Sequence, residues 1–141
     1  MTIVPYQNLL LQQGLRDTQP RRLVFASLVR HRKPVSPYDI QKSIAAKGGT
    51  VNTVTVYRIL SLFEEHHLVH REAETGKYFL CSMPQKPGHH GHLKCNSCGR
   101  IDEFQSEDLC RIEDAIAQKF KFKPSAHLSE IAGTCSSCLA R

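Results

Sequence analysis

Four cysteines in two identical pairs are the residues of this chain most clearly suited to chemistry. Two residues separate Cys95 from Cys98, and two separate Cys135 from Cys138. A two-residue gap at a tight turn lets two thiolates reach one ion at about 2.3 Å, and two such turns complete a tetrahedron. Because four protein ligands leave no open position, the pattern predicts a structural zinc site. Four free thiols or two disulfides are the alternative.

A second group of donors combines histidine with cysteine. Its members are His70, Cys81, His89, His90 and His92. Imidazole together with a thiolate suits zinc, and it suits redox-active iron poorly. His70 and Cys81 fall on two predicted strands, whereas the other histidines follow a stretch rich in proline and glycine. One ion held by both groups would fix one domain against the other. For the histidines alone, a polar loop without metal is the alternative.

A weaker third set consists of Glu103, Cys110 and His127. Cys110 has apolar neighbours at helical spacing, so a buried cysteine with no ligand role fits the sequence as well as a metal ligand does. The carboxylate of Glu103 can contribute to either the second or the third group, and the sequence does not decide between them.

Positive charge is concentrated at the opposite end of the chain. Residues 1–58 contain nine Lys and Arg against two acids, a net charge of +7, whereas the remaining 83 residues carry −1. A segment of this kind predicts a polyanion as partner, and duplex DNA fits it. The basic residues expected to contact phosphates are Arg16, Arg21, Arg22 and Lys47.

Apolar spacing and turn residues predict a winged helix-turn-helix in this basic part. Four helices are expected over 5–13, from residue 18 onward, over 37–47 and over 53–66, followed by a hairpin of strands over 68–71 and 77–81. The fourth helix has one apolar stripe, and its opposite face would read base edges from the N-terminal turns. The candidates for that contact are Asn52, Thr53, Thr55, Tyr57 and Arg58.

The rest of the chain predicts a small α/β domain. Strands are expected over 92–95, 100–104 and 125–132, with a helix over 106–120. The fold class is therefore α+β, with a winged helix-turn-helix over 1–82, a hinge over 83–91 and a second domain over 92–141. About 50 residues make a thin core, so metal or a second subunit must supply stability.

Several function classes are disfavoured by the sequence. No run of about 18 apolar residues exists, so no membrane partner is expected, and the first residues do not have the pattern expected of a signal peptide. We therefore expect a cytoplasmic protein. A zinc hydrolase with Glu103 as general base is disfavoured because no His-Glu-x-x-His motif is present, so we expect no enzyme and no small-molecule substrate. A zinc-stapled protein-binding adaptor is disfavoured by the +7 segment.

Over nearly its whole length the sequence resembles the ferric uptake regulator (Fur) family of metal-dependent bacterial repressors. The motifs that carry the likeness are Gly14-Leu15-Arg16-x-Thr18-x-x-Arg21, Thr55-Val56-Tyr57-Arg58-Ile59-Leu60, His89-His90-x-His92-Leu93-x-Cys95-x-x-Cys98-Gly99 and the terminal Cys135-x-x-Cys138. The resemblance implies a homodimer joined by its α/β domains, with a winged helix on a palindromic double-stranded DNA operator. It also implies that Arg16 enters a minor groove while Tyr57 and Arg58 meet bases.

Departures from the family pattern point to the zinc uptake regulator (Zur) branch. Iron-sensing members usually have a carboxylate at the position of Cys81 and a histidine at that of Pro34. By similarity to the zinc regulators, the regulatory zinc ligands are His70, Cys81, His90 and His92. We therefore expect Zn²⁺ as cofactor, with one structural and at least one regulatory ion per subunit, and repression of zinc-uptake genes. An iron or peroxide sensor of the same family is the alternative.

The resemblance also implies a third metal site in some members. Its ligands match His89, Gly91, Cys110 and His127 in this chain, with Glu103 as a further candidate. Glycine offers no side-chain ligand, and Cys110 stands where an acid is expected.

Overall fold

The computed structural model describes residues 6–31, 33–82, 90–124 and 129–141. The chain divides into two compact units, Met1–Pro84 and Gln85–Arg141. Most of the predicted hinge over 83–91 lies outside the described residues, so its boundaries stay a prediction. Gly91, assigned to that hinge, is instead the first residue of a strand. In the described part of the chain, no helix combines the length and apolar character that crossing a bilayer requires.

The first unit contains the four predicted helices. They are α1 (Tyr6–Gln12), α2 (Gln19–Arg30), α3 (Pro37–Ala46) and α4 (Thr53–Glu65). The side-chain oxygens of Thr18, Ser36 and Asn52 each accept a hydrogen bond from the backbone N–H three residues on, which satisfies a donor that has no partner within the helix. These local caps are the reason that the helix starts could be predicted.

Helix α4 separates an apolar face from an exposed one. Val56, Ile59, Leu60 and Phe63 are buried, and the Phe63 ring meets that of Phe25 edge-on, with centroids 6.4 Å apart. The opposite face, which includes Val54, stays in solvent. The predicted apolar stripe is therefore confirmed, and burying it against α2 and α3 fixes which face of α4 is presented outward.

A short hairpin completes the first unit. Strands β1 (Val69–Arg71) and β2 (Tyr78–Leu80) pair antiparallel, with His70 opposite Phe79. Val35, just before α3, bridges to Tyr78. The hairpin is thereby attached to the helices, and the unit is a winged helix-turn-helix, as predicted.

In its described residues, the second unit is a three-stranded sheet with two helices. Its elements are β3 (Gly91–Cys95), β4 (Ile101–Phe104), α5 (Glu107–Lys119), β5 (Ser129–Gly133) and α6 (Ser136–Leu139). The strand order is β4-β3-β5; β3 pairs antiparallel with β4 and parallel with β5. Residues 125–128 of the predicted last strand lie outside the described residues. The short helix α6 was not predicted, because the sequence there was interpreted only as a cysteine turn.

One face of α5 is apolar and lies in solvent. None of its residues is buried, and Ile112, Ile116 and Phe120 are 57%, 54% and 73% exposed. Phe122 and Ile131 are also exposed. We call these five residues the apolar surface of the second unit. An exposed apolar helix face is uncommon on a protein that works alone.

Candidate metal centres

The four cysteines of the second unit converge at one end of its sheet. Cys95 ends β3, and Cys98 follows in the next turn; Cys135 caps the start of α6, and Cys138 lies within that helix. Parallel pairing places Cys95 opposite Gly133, two residues before Cys135. The four Sγ atoms all lie within 4.8 Å of one another.

The sulfur spacing in this cluster suits zinc. Cys98 Sγ and Cys135 Sγ are 3.8 Å apart. Two sulfurs bound to one zinc in a tetrahedron, at 2.3 Å each, are about 3.8 Å apart. All four positions would be filled by protein, so the cluster can stabilise the fold but cannot activate a substrate.

Hydrogen bonds in the cluster favour the thiolate form of Cys95, which is the form that binds a metal. The N–H of Cys135 donates to Cys95 Sγ over 3.3 Å. This bond and the backbone donor of Cys98 lower the pKa of the Cys95 thiol to about 6. The pKa of Cys138 is raised to about 12, first by its hydrogen bond with Cys135 and then by burial. Without a cation, four thiolates repel one another, so one thiol keeps its proton; a divalent ion removes that constraint.

A second pair of donors lies on the wing of the first unit. The N–H of Cys81 donates to the carbonyl oxygen of Leu68, which extends the hairpin by one residue pair beyond β2. His70 lies two residues along from Leu68, so its side chain projects from the same face as that of Cys81. The donor atoms of His70 and Cys81 lie within 4.8 Å of each other, and Cys81 is buried.

In the second unit, His90 has a carboxylate neighbour that sequence reasoning left unassigned. His90 Nδ1 is 3.2 Å from Glu103 Oε2, and both side chains are 3% exposed. His92 is buried and pairs in register with Glu103 on β4 and with Glu130 on β5. The sequence did contain a signal for Glu103. If the strands before and after the Cys95–Cys98 turn are paired antiparallel, Glu103 lies opposite His92.

The remaining predicted ligands are not brought together in the described part of the chain. His89 and His127 lie outside the described residues. Cys110 is half-buried in α5 and belongs to no described group of three or more donor side chains within 4.8 Å. Gly91 is a buried residue of β3.

The predicted DNA-reading residues cluster at the start of α4. Tyr57 and Arg58 are exposed, and Thr53 and Thr55 are half-buried. The side-chain oxygen of Asn52 accepts from the N–H of Thr55 over 2.8 Å, so this residue caps the helix, and its amide NH2 group is the donor that it can offer to a partner. Arg16 is exposed, and its carbonyl oxygen accepts from Arg21 over 2.7 Å.

Comparison with known proteins points to one family. Residues 12–132 match the family described as "Ferric uptake regulator family". A ferric uptake regulation protein of Legionella pneumophila is 36% identical over 126 residues, covering 89% of this chain and 92% of its own length. The solved structure of a zinc uptake regulator complexed with zinc and DNA has a TM-score of 0.85 at 26% identity, covering 95% of this chain and 90% of that one.

A third relative concerns the number of metal sites. The structure of the Helicobacter pylori ferric uptake regulator, described as revealing three functional metal-binding sites, has a TM-score of 0.56 at 26% identity. It covers 94% of this chain and 88% of that one.

Replacing Cys138 by serine should strip metal from the four-cysteine cluster and unfold the second unit. Structural zinc contributes about 10–16 kcal/mol in zinc-finger peptides, as much as the whole stability of a typical domain. The measurements are zinc per subunit by elemental mass spectrometry and thermal unfolding by circular dichroism. Ser137→Ala, at the exposed residue before Cys138 in α6, is the control and should change neither. A Cys138→Ser chain with unchanged zinc content and Tm would contradict the assignment.

Proposed function

Because the chain belongs to the ferric uptake regulator family, whose members are metal-responsive transcription regulators and not enzymes, we propose that it is a zinc-responsive repressor. It works in the cytoplasm as a homodimer and binds palindromic operators of zinc-uptake genes when its regulatory zinc site is filled. One ion per subunit is structural, held by the four cysteines, and at least one is regulatory.

The observation that carries zinc rather than iron is the thiol of Cys81 beside His70 on the wing. A buried thiolate with imidazole suits zinc, whereas iron regulators favour nitrogen and oxygen donors. The likeness to a zinc uptake regulator, at a TM-score of 0.85, supports the same choice.

We propose that the second unit contributes His90 and Glu103 to the regulatory site. Two ligand atoms 2.0–2.1 Å from one tetrahedral zinc are about 3.3 Å apart, and His90 Nδ1 lies 3.2 Å from Glu103 Oε2. With His70 and Cys81, these side chains supply two nitrogens, one sulfur and one oxygen. His92 stays a candidate ligand from the sequence prediction. A His92→Ala variant would distinguish the ligand set that contains His92 from the set that contains Glu103.

Because its ligands come from both units, the proposed site can couple zinc binding to a conformational change. A bound zinc ion supplies a positive centre that only properly oriented donors satisfy. His70 and Cys81 belong to the wing, whereas His90 precedes β3 and Glu103 lies on β4 of the second unit, so filling the site would favour one arrangement of the two units. The DNA-competent form need only bind zinc better than the other form by about 1–3 kcal/mol, a typical coupling for such switches.

DNA is bound through the exposed start of α4. Arg58 and Tyr57 lie on the face opposite the buried stripe, where an inserted helix meets base edges. The +7 charge of residues 1–58 supplies the phosphate contacts, with Arg16 directed to a minor groove.

A second copy of the chain covers the apolar surface of the second unit. Burying Ile112, Ile116 and Phe120 against a symmetric copy removes apolar area from water, at about 25 cal/mol per Å². Family membership supports this homodimer, which also supplies the core that 50-odd residues cannot build alone.

An iron or peroxide sensor of the same family is the second candidate. The observation that favours it is the 36% identity to a ferric uptake regulation protein, the highest identity among the relatives described above. A sensor of that kind depends on nitrogen and oxygen ligands and would not require Cys81.

Cys81→Ser should abolish the zinc response of operator binding while leaving the structural ion in place. We expect wild-type affinity to rise about 5–150-fold as free zinc is raised through the regulatory range, the span of a 1–3 kcal/mol coupling, and the variant to stay at its zinc-poor level. Fluorescence anisotropy in zinc buffers measures this, with Cys110→Ser as control and anaerobic Fe²⁺ in parallel. A variant that still responds to zinc, or a wild type that responds to Fe²⁺ alone, would favour the second candidate.

Arg58→Ala should weaken operator binding by about 1–3 kcal/mol, roughly 5–150-fold, because a base-edge contact is lost. Discrimination between operator and unrelated duplex should fall with it. Arg111→Ala, which removes an exposed arginine of α5, is the control and should bind normally. Unchanged affinity and specificity in Arg58→Ala would remove α4 as the reading element.

Ile116→Asp should convert the dimer into monomers, because it places a charge in the centre of the apolar surface. Sedimentation velocity on the zinc-loaded protein measures the oligomeric state. Val29→Asp, at an exposed valine of the first unit, is the control and should stay dimeric. A dimeric Ile116→Asp chain would show that subunits associate through another surface.

A further inference from the structure

The α1–α2 loop, residues 13–18, has a fixed start. Gly14 takes a φ of 69°, in the left-handed region that favours glycine, and its N–H donates to the carbonyl oxygen of Leu11. The N–H of Leu15 then donates to the carbonyl oxygen of Leu10 over 2.8 Å, and the Leu15 side chain packs against the core of the first unit. Helix α1 therefore ends in a tight turn, and the chain leaves it in one direction.

Arg21, in the first turn of α2, closes the loop from its other end. Its backbone N–H donates to Thr18 Oγ1 over 3.5 Å, and its guanidinium Nη1 donates to the carbonyl oxygen of Arg16 over 2.7 Å. A hydrogen bond from a charged donor is stronger than one between neutral groups. Because the acceptor is a backbone oxygen, this bond fixes the main chain of Arg16 itself.

Asp17 interacts with both helices that flank the loop. Its Oδ1 lies 2.8 Å from Nε of Arg22 on α2. On α1, burial and then the negative charge of Asp17 raise the pKa of Tyr6 to about 12. Water screens an exposed ion pair such as Asp17–Arg22, so that pair adds little stability by itself. It does give the Arg22 guanidinium a partner within the loop, next to the residue whose backbone Arg21 holds.

The three arginines of this region are therefore used differently. The sequence predicts phosphate contacts for all of them, whereas in the structure Arg21 and Arg22 each direct the guanidinium to a partner in the loop. Arg21 is half-buried, and Arg16 is exposed, so the loop holds the backbone of Arg16 and leaves its side chain in solvent. A side chain that enters a groove loses less conformational entropy when its backbone is already held.

We propose that Arg21 is a positioning residue, which holds the α1–α2 loop so that Arg16 is presented to the minor groove of DNA. The groove that suits a single arginine is a narrow, A·T-rich one, because its negative potential is enhanced. The DNA part of this inference rests on the proposed function, in which Arg16 enters a minor groove, whereas the hold of Arg21 on the loop does not.

Backbone dynamics of the zinc-loaded dimer without DNA test the hold on the loop. In ¹⁵N relaxation measurements, the order parameters of Arg16 and Asp17 should be about 0.85 in the wild type, which is typical of rigid backbone, and below about 0.6 in Arg21→Ala. Arg30→Ala is the matched control and should leave the loop rigid, because Arg30 is an exposed arginine of the same helix whose guanidinium donates to Ser43. Unchanged order parameters in Arg21→Ala would overturn the proposal.

Operator binding separates a positioning role from a phosphate contact. Arg21→Lys keeps the positive charge that a phosphate needs and loses the planar fork that reaches the carbonyl oxygen. Fluorescence anisotropy compares two operators that differ only in having A·T or G·C pairs flanking each half-site. We expect the preference for the A·T operator to fall about 5–10-fold in Arg21→Lys and to a similar extent in Arg16→Ala. In the double variant the two losses should not add, because both remove the same contact.

The possible outcomes separate this inference from the proposed function. Wild-type preference in Arg21→Lys would overturn the positioning role. So would an Arg21→Ala chain that loses affinity for operator and unrelated duplex alike, with a salt slope smaller by about one, because that is the effect of a lost phosphate contact. Wild-type preference in Arg16→Ala, together with a loosened loop in Arg21→Ala, would instead remove the minor-groove contact of the proposed function, and the hold of Arg21 on the loop would stand.

Discussion

The second unit depends on the parallel pairing of β3 with β5. Thirty-six residues separate the two cysteine pairs, and this pairing alone brings Cys95 within hydrogen-bond reach of the Cys135 N–H. A parallel pair requires a crossover, which α5 supplies. Closing a long crossover costs chain entropy, and a metal held at its ends offsets that cost. The same contact that completes a metal site therefore completes the fold, and α6 serves to present the last two sulfurs.

With the proposed structural zinc in place, the second unit could be stable although its helix is uncovered. Helix α5 buries none of its residues, although its apolar positions follow helical spacing. In a larger domain this stripe would face the core. Here the sheet has three strands in the described part of the unit, and the apolar surface is left for the proposed second subunit. In the proposed zinc-bound homodimer, metal and partner would together replace the large core that a short domain lacks.

Local signals made most of the fold predictable, whereas long-range register did not. Thr18, Ser36 and Asn52 cap helices through contacts three residues away, so the sequence alone marked the helix starts. The cysteine pairs were recognisable because two cysteines separated by two residues can bind one zinc ion from a single tight turn. Glu103 could not be assigned to His90, because that contact depends on how two strands align across a turn. Helix α6 was missed because four residues carry no periodicity.

Strand alternation gives the two faces of β3 different chemistry: one face carries polar donor side chains, and the other is apolar. On one face, His92 pairs with Glu103, and His90 lies against the same carboxylate, so nitrogen and oxygen donors gather there. On the other face, Gly91 accommodates the Phe104 ring. A shift of register by one residue would exchange the faces and place the ring among the donors. The glycine that weakens the strand also locks its register, because a ring over a residue with no Cβ fits at one alignment only.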